Sequence, residues 1–198
     1  MPTFVNVLPL LTSTAYFAPL SWYRAAAVRP AWYWQGGETY QKGGWRNRCR
    51  ILTANGPLLL SVPLAGGKHQ QMPIGEVAVS YHDDWPRRHE QTIRSAYGRA
   101  PYYEHFSELV LAPARRRPAS LWQLNFEIAT ALAPLLGRDG PPGVLPDFRP
   151  PPHPGYDGPE NISAPVPLYP QVFGDRYGFV DDLSVLDALF CLGPAALL

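Results

Sequence analysis

Charged residues are scarce in this sequence, and neither sign is in clear excess. Asp, Glu, Lys and Arg make up 17% of the 198 residues, and the formal net charge at pH 7 is +1. Proteins dedicated to nucleic acids usually have a strong basic excess. The balance therefore argues against nucleic acid as the partner, although a local site for a small anion is compatible with it. RNA binding through arginines and aromatic rings would show as a strongly salt-dependent affinity.

Cysteines and long apolar runs are also few. Cys49 and Cys191 are too few for a disulfide scaffold and indicate free thiols in a reducing compartment. No run approaches the ~20 apolar residues that a membrane-spanning helix needs. A signal peptide has a positive charge before its apolar residues, and none precedes the first apolar residues here. The histidines and cysteines lack metal-ligand spacing. We expect a cytoplasmic protein without membrane insertion, metal or cofactor.

Proline, in contrast, is abundant, with 24 residues in the chain. Many of them fall between Gly137 and Pro167, at a density that excludes regular elements and predicts a long extended loop. The remaining residues supply enough apolar side chains for one core, since 46% of the chain is hydrophobic. We predict a single domain over residues 1–198, with a Pro/Gly-rich loop insertion at about 138–167.

The pattern of apolar residues predicts an α/β or α+β fold. Strands are expected in the N-terminal half, at 4–11, 31–34, 45–52, 58–64 and 76–81. Helices are expected at 21–28, 84–97, 101–106, 118–136 and 184–190 from their caps and their 3.6-residue spacing. The predicted architecture is a mixed sheet from the N-terminal half, covered by helices from the middle and the C-terminus.

The segment from Tyr40 to Arg50 is the most distinctive polar stretch. Arg46, Arg48 and Arg50 alternate with Asn47 and Cys49, so a strand would place three guanidiniums on one face. Such a face needs an anion opposite, either a bound phosphate or carboxylate or the chain's own acids. The acids considered are Glu38, Asp175, Asp181 and Asp182. No glycine-rich phosphate loop of the P-loop or dinucleotide type is present, which leaves phosphate binding to side chains.

His89 is the candidate general base. It shares the apolar face of the predicted 84–97 helix, where a histidine is either a hydrogen-bonded core residue or a base oriented by a carboxylate. Asp84, at the start of the helix, is the candidate for orienting it. Cys49 is a packed thiol or a nucleophile activated by its neighbours, but strand alternation points the arginine side chains away from it.

Asn125 and Asp187 are polar residues within otherwise apolar helices. Burial would oblige each to find hydrogen-bonding partners. The sequence leaves open whether they serve the fold or line a cleft.

A series of short motifs resembles the WbqC-like family, whose members occur in bacterial surface-polysaccharide (O-antigen) gene clusters. The motifs cover most of the chain: Ala15–Pro19, Glu38–Lys42, Arg46–Ile51, Leu60–Pro63, Trp85 with His89, Ser95–Gly98, Ala100–Tyr103, Tyr169–Phe173, Gly178–Phe179 and Leu183–Asp187. The chain departs from the pattern at Thr12–Thr14, where many relatives have Gln-Pro, and in the proline-rich stretch.

The resemblance implies a role in transferring glycine, or another acyl group, onto a sugar of the polysaccharide, and it supplies no catalytic residues. We therefore expect a transferase whose partner is a sugar nucleotide or another anionic small molecule. Arg46, Arg48 and Arg50 would hold the anionic group of this ligand, with help from Lys42. Asp84 would orient the general base, His89. The further ligand-binding residues proposed are Tyr16, Tyr40, Trp45, Asn47, Asn125 and Asp187. The alternative is a non-catalytic sugar-nucleotide-binding or scaffold protein of the same pathway.

Overall fold

In the computed structural model, the residues described are 9–66, 71–145 and 164–197. Within them helices and strands are interspersed, which confirms the mixed α/β class. The strands are β1 (Leu10–Thr12), β2 (Trp32–Gln35), β3 (Arg48–Thr53), β4 (Gly56–Ser61) and β5 (Gly143–Leu145). The helices are α1 (Leu20–Ala27), α2 (Trp85–Tyr97), α3 (Tyr103–Arg115), α4 (Leu121–Leu132), α5 (Gly174–Tyr177) and α6 (Val185–Leu192). No helix in this part of the chain is long and apolar enough to cross a membrane.

The strands form two separate sheets rather than one mixed sheet. β1, β2 and β5 form a parallel sheet with β2 in the centre, and β3 and β4 form an antiparallel hairpin. β5 lies inside the stretch expected to be irregular. Gly143 allows this pairing, because a Cβ there would come within 2.6 Å of the Tyr33 ring. Residues 146–163 lie outside the described residues, so the predicted loop insertion and the domain boundaries stay predictions.

The hairpin turn is tight although a proline follows it. Pro57 cannot donate a hydrogen bond, which would favour a wider loop, yet only Ala54 and Asn55 separate the paired residues Thr53 and Gly56. Pairs in an antiparallel ladder alternate between hydrogen-bonded and non-hydrogen-bonded types. Pro57 lies opposite Leu52, one pair beyond the turn, where its nitrogen faces away from β3, so the proline removes no ladder bond.

The helix boundaries follow their capping signals closely. α2 begins after Asp84 and ends before Gly98. α4 begins after Ser120, whose hydroxyl accepts a hydrogen bond from the Gln123 amide at 3.2 Å, and a 3₁₀ turn continues it from Ala133 to Leu136. Two predictions differ from the structure. α3 extends well beyond the short aromatic segment, and residues 76–81 form a 3₁₀ turn and isolated bridges instead of a strand.

The N-terminal segment runs through the centre of the molecule. Every residue from Leu10 to Tyr23 is buried, including Thr12, Ser13 and Thr14. The start of α6 joins this segment to the hairpin, since the Ser184 amide donates to the Arg50 carbonyl at 2.7 Å and the Val185 amide donates to the Ala18 carbonyl at 2.9 Å. These bonds fix the outer edge of β3 against the core.

Candidate functional site

Arg46 lies in a buried ion pair, not on a strand face. β3 begins only at Arg48, so Arg46 belongs to the preceding turn. Its Nη2 and Nε lie 2.7 and 2.9 Å from Oε2 of Glu38, and Oε1 of Glu38 accepts hydrogen bonds from the Thr14 amide and hydroxyl at 2.8 and 2.9 Å. Burial raises the pKa of the Glu38 carboxyl, while Arg46 and Thr14 oppose that rise. Arg46 therefore finds its anion within the chain.

Three predicted ligand-binding residues hold this turn in place. The Asn125 side chain is buried and donates from Nδ2 to the Arg46 carbonyl at 2.9 Å. Asn47 donates from Nδ2 to the Val62 carbonyl at 3.0 Å and accepts from the Tyr40 hydroxyl at 3.1 Å. Oδ1 of Asn125 accepts no hydrogen bond from the described residues. These contacts bring together the turn before β3, Val62 at the end of the hairpin and α4.

Arg48 and Arg50 share one face of β3, but their surroundings differ. Nη2 of Arg50 donates to the carbonyls of Asp181 and Asp182 at 2.8 and 3.1 Å, which ties β3 to the segment before α6. Arg48 is half-buried, and no hydrogen bond or ion pair joins its side chain to another described residue. Its Nε is buried without an acceptor.

The environment of Arg48 suits an anionic ligand. Burial raises the pKa of Tyr40, and Arg48 lies close enough to oppose that rise. Ser61, exposed, is paired with Arg48 across the hairpin, so their side chains lie on the same face. A buried donor of a charged group is costly when it lacks an acceptor. Nε of Arg50 is also buried without an acceptor, but Nη2 of Arg50 is bonded to two carbonyls. Of the three arginines, Arg48 is the one whose guanidinium makes no hydrogen bond or ion pair with a described residue.

His89 is held by two hydrogen bonds in a buried aromatic setting. Its Nδ1 lies 2.9 Å from the Tyr16 hydroxyl, the ring also bonds to the backbone carbonyl of Ser61, and only 8% of the residue is exposed. The Trp85 ring packs edge-on at a centroid distance of 5.0 Å. Burial, followed by the nearby Arg88 charge, lowers the pKa of His89 from 6.5 to about 4. The imidazole is therefore neutral at physiological pH.

Asp84 does not contact His89. Its Oδ1 lies 2.9 Å from Nη2 of Arg117, and both side chains are about half exposed, at 51% and 52%. Residues five positions apart on a helix point roughly 140° away from each other, so a carboxylate at the start of α2 faces water when His89 faces the core. The hydroxyl of Tyr16 occupies the place at Nδ1 that the sequence assigned to Asp84.

Asp187 belongs to a different cluster. It is fully buried in α6, and its Oδ2 accepts from the Tyr169 hydroxyl at 2.7 Å. Burial raises the pKa of this carboxyl, against the hydrogen bonds around it. Asp187 thus lies beside the C-terminal segment rather than among the predicted arginines.

The hairpin separates His89 from Arg48. Successive side chains of a strand point to opposite faces, and Cys49, next to Arg48, is fully buried. Burial raises the pKa of the Tyr16 hydroxyl, and Cys49 lies close enough to add to that rise. Tyr16, Cys49 and His89 are therefore on one side, and the Arg48 side chain is on the other. Burial also raises the pKa of Cys49, as expected for a packed thiol.

The structure thus divides the predicted site residues into groups. One group surrounds the turn before β3 and contains Tyr40, Asn47 and Arg48, with Lys42 exposed on the same turn. The Tyr16–His89 pair contacts this turn through the backbone, where the Tyr16 amide donates to the Trp45 carbonyl at 2.9 Å. Sequence reasoning missed Ser61, because only the hairpin register places it beside Arg48.

A family model described as the WbqC-like protein family matches residues 35–140. The chain belongs to the WbqC-like protein family. The match includes the hairpin and helices α2 to α4, and with them Arg48 and His89, whereas Tyr16 and Asp187 lie outside it. Comparisons with curated proteins and with solved structures give no match.

Proposed function

We propose that this WbqC-like chain binds an anionic ligand of surface-polysaccharide (O-antigen) assembly, in the first instance a nucleotide-linked sugar. The observation that carries the proposal is the half-buried Arg48 side chain, whose Nε has no acceptor among the described residues. The pathway is the one that the resemblance to the WbqC-like family implies, and the match of the family model to residues 35–140 supports it.

The chemistry around Arg48 supports recognition of a phosphate or carboxylate. A guanidinium presents a planar fork of donors that matches either group. The exposed Ser61 hydroxyl lies on the same face and can donate to, or accept from, a sugar hydroxyl. Tyr40 and Asn47 are bonded to each other and fix the turn that precedes Arg48. The ligand would therefore meet a preformed surface.

Calorimetric titration with a uridine diphosphate-linked amino sugar tests the proposal. Arg48→Gln should remove a binding event or weaken it about tenfold or more, because a charge-assisted hydrogen bond is lost. Arg87→Gln is the matched control, since Arg87 is exposed on α2 and has no ion pair with a described residue. Equal affinity for the sugar nucleotide in wild type and Arg48→Gln would contradict the proposal.

A second candidate function is acyl or aminoacyl (glycyl) transfer onto the bound sugar. In such a step the sugar amine attacks the acyl carbonyl carbon, the bond from that carbon to the donor's leaving atom breaks, and the amine proton passes to a base. The observation in favour is the neutral imidazole of His89. Against it, Tyr16 and the Ser61 carbonyl already occupy the two ring nitrogens, and a pKa of about 4 makes the imidazole a weak base at neutral pH. The separation of His89 from Arg48 favours binding without catalysis.

Turnover separates the two candidates. Incubating the protein with a nucleotide-linked amino sugar and activated glycyl or acetyl donors should give an acylated sugar if the transferase assignment holds, and His89→Gln should then lower kcat while sugar binding persists. Saturable binding of the sugar nucleotide, with no product from any donor, would instead assign the chain as a binding or scaffold protein.

A further inference from the structure

A continuous cleft runs along the exposed side of α2. Its smaller part, about 440 Å³, lies between α2 and the hairpin turn, and its larger part, about 720 Å³, lies between the end of α2 and residues 170–175. Both parts are lined by Ala54, Ser95 and Ala96, so they adjoin. The larger part alone is within the range of about 300–1,000 Å³ that is usual for ligand sites.

Two arginines in the larger part have no counter-ion in the described chain. Arg94 and Arg99 are exposed and line the cleft, and no ion pair or side-chain hydrogen bond joins either of them to another described residue. Three arginines at the end of α3 and just after it are, in contrast, each paired with a carboxylate. They are Arg115, Arg116 and Arg117. Two unpaired guanidiniums five residues apart at the mouth of a cavity suit the phosphates of a ligand.

The other lining groups suit a nucleoside. The half-buried Phe173 ring offers a surface on which a base can stack. Asp175 is an exposed carboxylate that has no ion pair with a described residue, and it can accept hydrogen bonds from the hydroxyls of a ribose. Gln171 is a fixed part of the wall, because its amide nitrogen donates to the Val180 carbonyl and its oxygen accepts from the Val180 amide, both at 2.8 Å.

We propose that this cleft binds a nucleoside diphosphate, with Arg94 and Arg99 on the phosphates, Phe173 against the base and Asp175 on the ribose. Because Asp175 lines the same part of the cleft as the two arginines, a bare inorganic anion is a poorer match than a ligand that also carries hydroxyls. The smaller part of the cleft continues along α2 past Gln91 and Thr92 and would hold a sugar attached to the diphosphate. The proposal does not depend on Arg48, which lines neither part.

The test is calorimetry on the full chain with UDP and GDP, and with pyrophosphate as the probe that lacks a base. Arg94→Gln and Arg99→Gln should each weaken nucleotide binding about tenfold or more. Phe173→Leu should weaken nucleotide binding while leaving pyrophosphate binding unchanged. Arg87→Gln should bind nucleotide like the wild type, because Arg87 is exposed on the same helix and lines neither part of the cleft. Thermal unfolding of each variant establishes that it is folded.

The outcomes separate this proposal from the one based on Arg48. Loss in Arg94→Gln and Arg99→Gln, with binding retained in Arg48→Gln, supports the cleft whatever the fate of the Arg48 assignment. Absence of saturable binding for both nucleotides would overturn the cleft proposal. Unchanged affinity in both cleft arginine variants, or an equal loss in Arg87→Gln, would also overturn it. Tighter binding of a UDP-linked sugar than of UDP would identify the sugar nucleotide, rather than the free nucleotide, as the occupant.

Discussion

The neutral, buried state of His89 has a measurable consequence for stability. In the folded chain the pKa of His89 is about 4, whereas its ordinary value is 6.5. Between these two values the unfolded chain binds a proton that the folded chain does not. The contribution of His89 to the free energy of unfolding is therefore fully present above pH 6.5 and is lost as the pH falls towards 4. The size of this loss is about 3 kcal/mol, at about 1.4 kcal/mol per pKa unit.

His89→Gln should remove that dependence. The glutamine does not titrate, so the free-energy difference between wild type and variant should shrink by up to about 3 kcal/mol as the pH falls from 6.5 to 4. Urea unfolding followed by the fluorescence of the six tryptophans measures it across this range. His82→Gln is the matched control, because His82 is exposed just before α2 and should retain the wild-type dependence. A wild-type-to-variant difference that stays constant with pH would refute the account of His89.

Three other predictions concern buried groups. Glu38→Gln should lower the free energy of unfolding by about 3–5 kcal/mol, because it leaves the buried Arg46 charge without its partner. Asp84→Asn breaks an exposed ion pair and should lower the free energy of unfolding by less than about 1 kcal/mol in the same urea assay. Burial raises the pKa of the Asp187 carboxyl above its ordinary value, so the stability that this carboxyl contributes is fully present at low pH and is lost as the pH rises. Asp187→Asn should therefore gain stability relative to wild type as the pH rises, and a relative gain towards low pH would contradict this. Both cysteines are buried, and burial raises the pKa of Cys191 to about 12. We therefore expect neither thiol to react with Ellman's reagent within minutes in the native protein, and both to react once the protein is unfolded in guanidinium.

The fold class was predictable from local signals, whereas the sheet arrangement was not. Asp84 and Gly98 mark the two ends of α2, because capping depends on a few adjacent residues. The division into two sheets depends on distant pairing, such as that of β2 with Gly143–Leu145, for which the sequence has no local mark. Proline density around β5 hid the strand, since Pro146 and its neighbours dominate the composition there.

The candidate site was predictable in its parts but not in its arrangement. Alternation marked Arg48, and helical spacing marked His89, but the alternation argument assumed that the strand began at Trp45. Because β3 begins at Arg48, Arg46 turns inward to Glu38 instead. That Arg48 and His89 face opposite sides of the hairpin follows from packing against Tyr16, which no sequence period shows. No local pattern in the sequence distinguishes Arg94 and Arg99 from the other polar residues of α2 and its end.

The most direct test of the central proposal is an NMR titration of the isotope-labelled protein with a uridine diphosphate-linked amino sugar. If Arg48 holds the ligand's anion, the backbone amides of Tyr40, Asn47 and Ser61 should shift on titration, and Arg48→Gln should abolish those shifts while any shifts along α2 persist. If these three amides do not respond, or respond equally in Arg48→Gln, the ligand does not bind at Arg48 and the proposal is wrong.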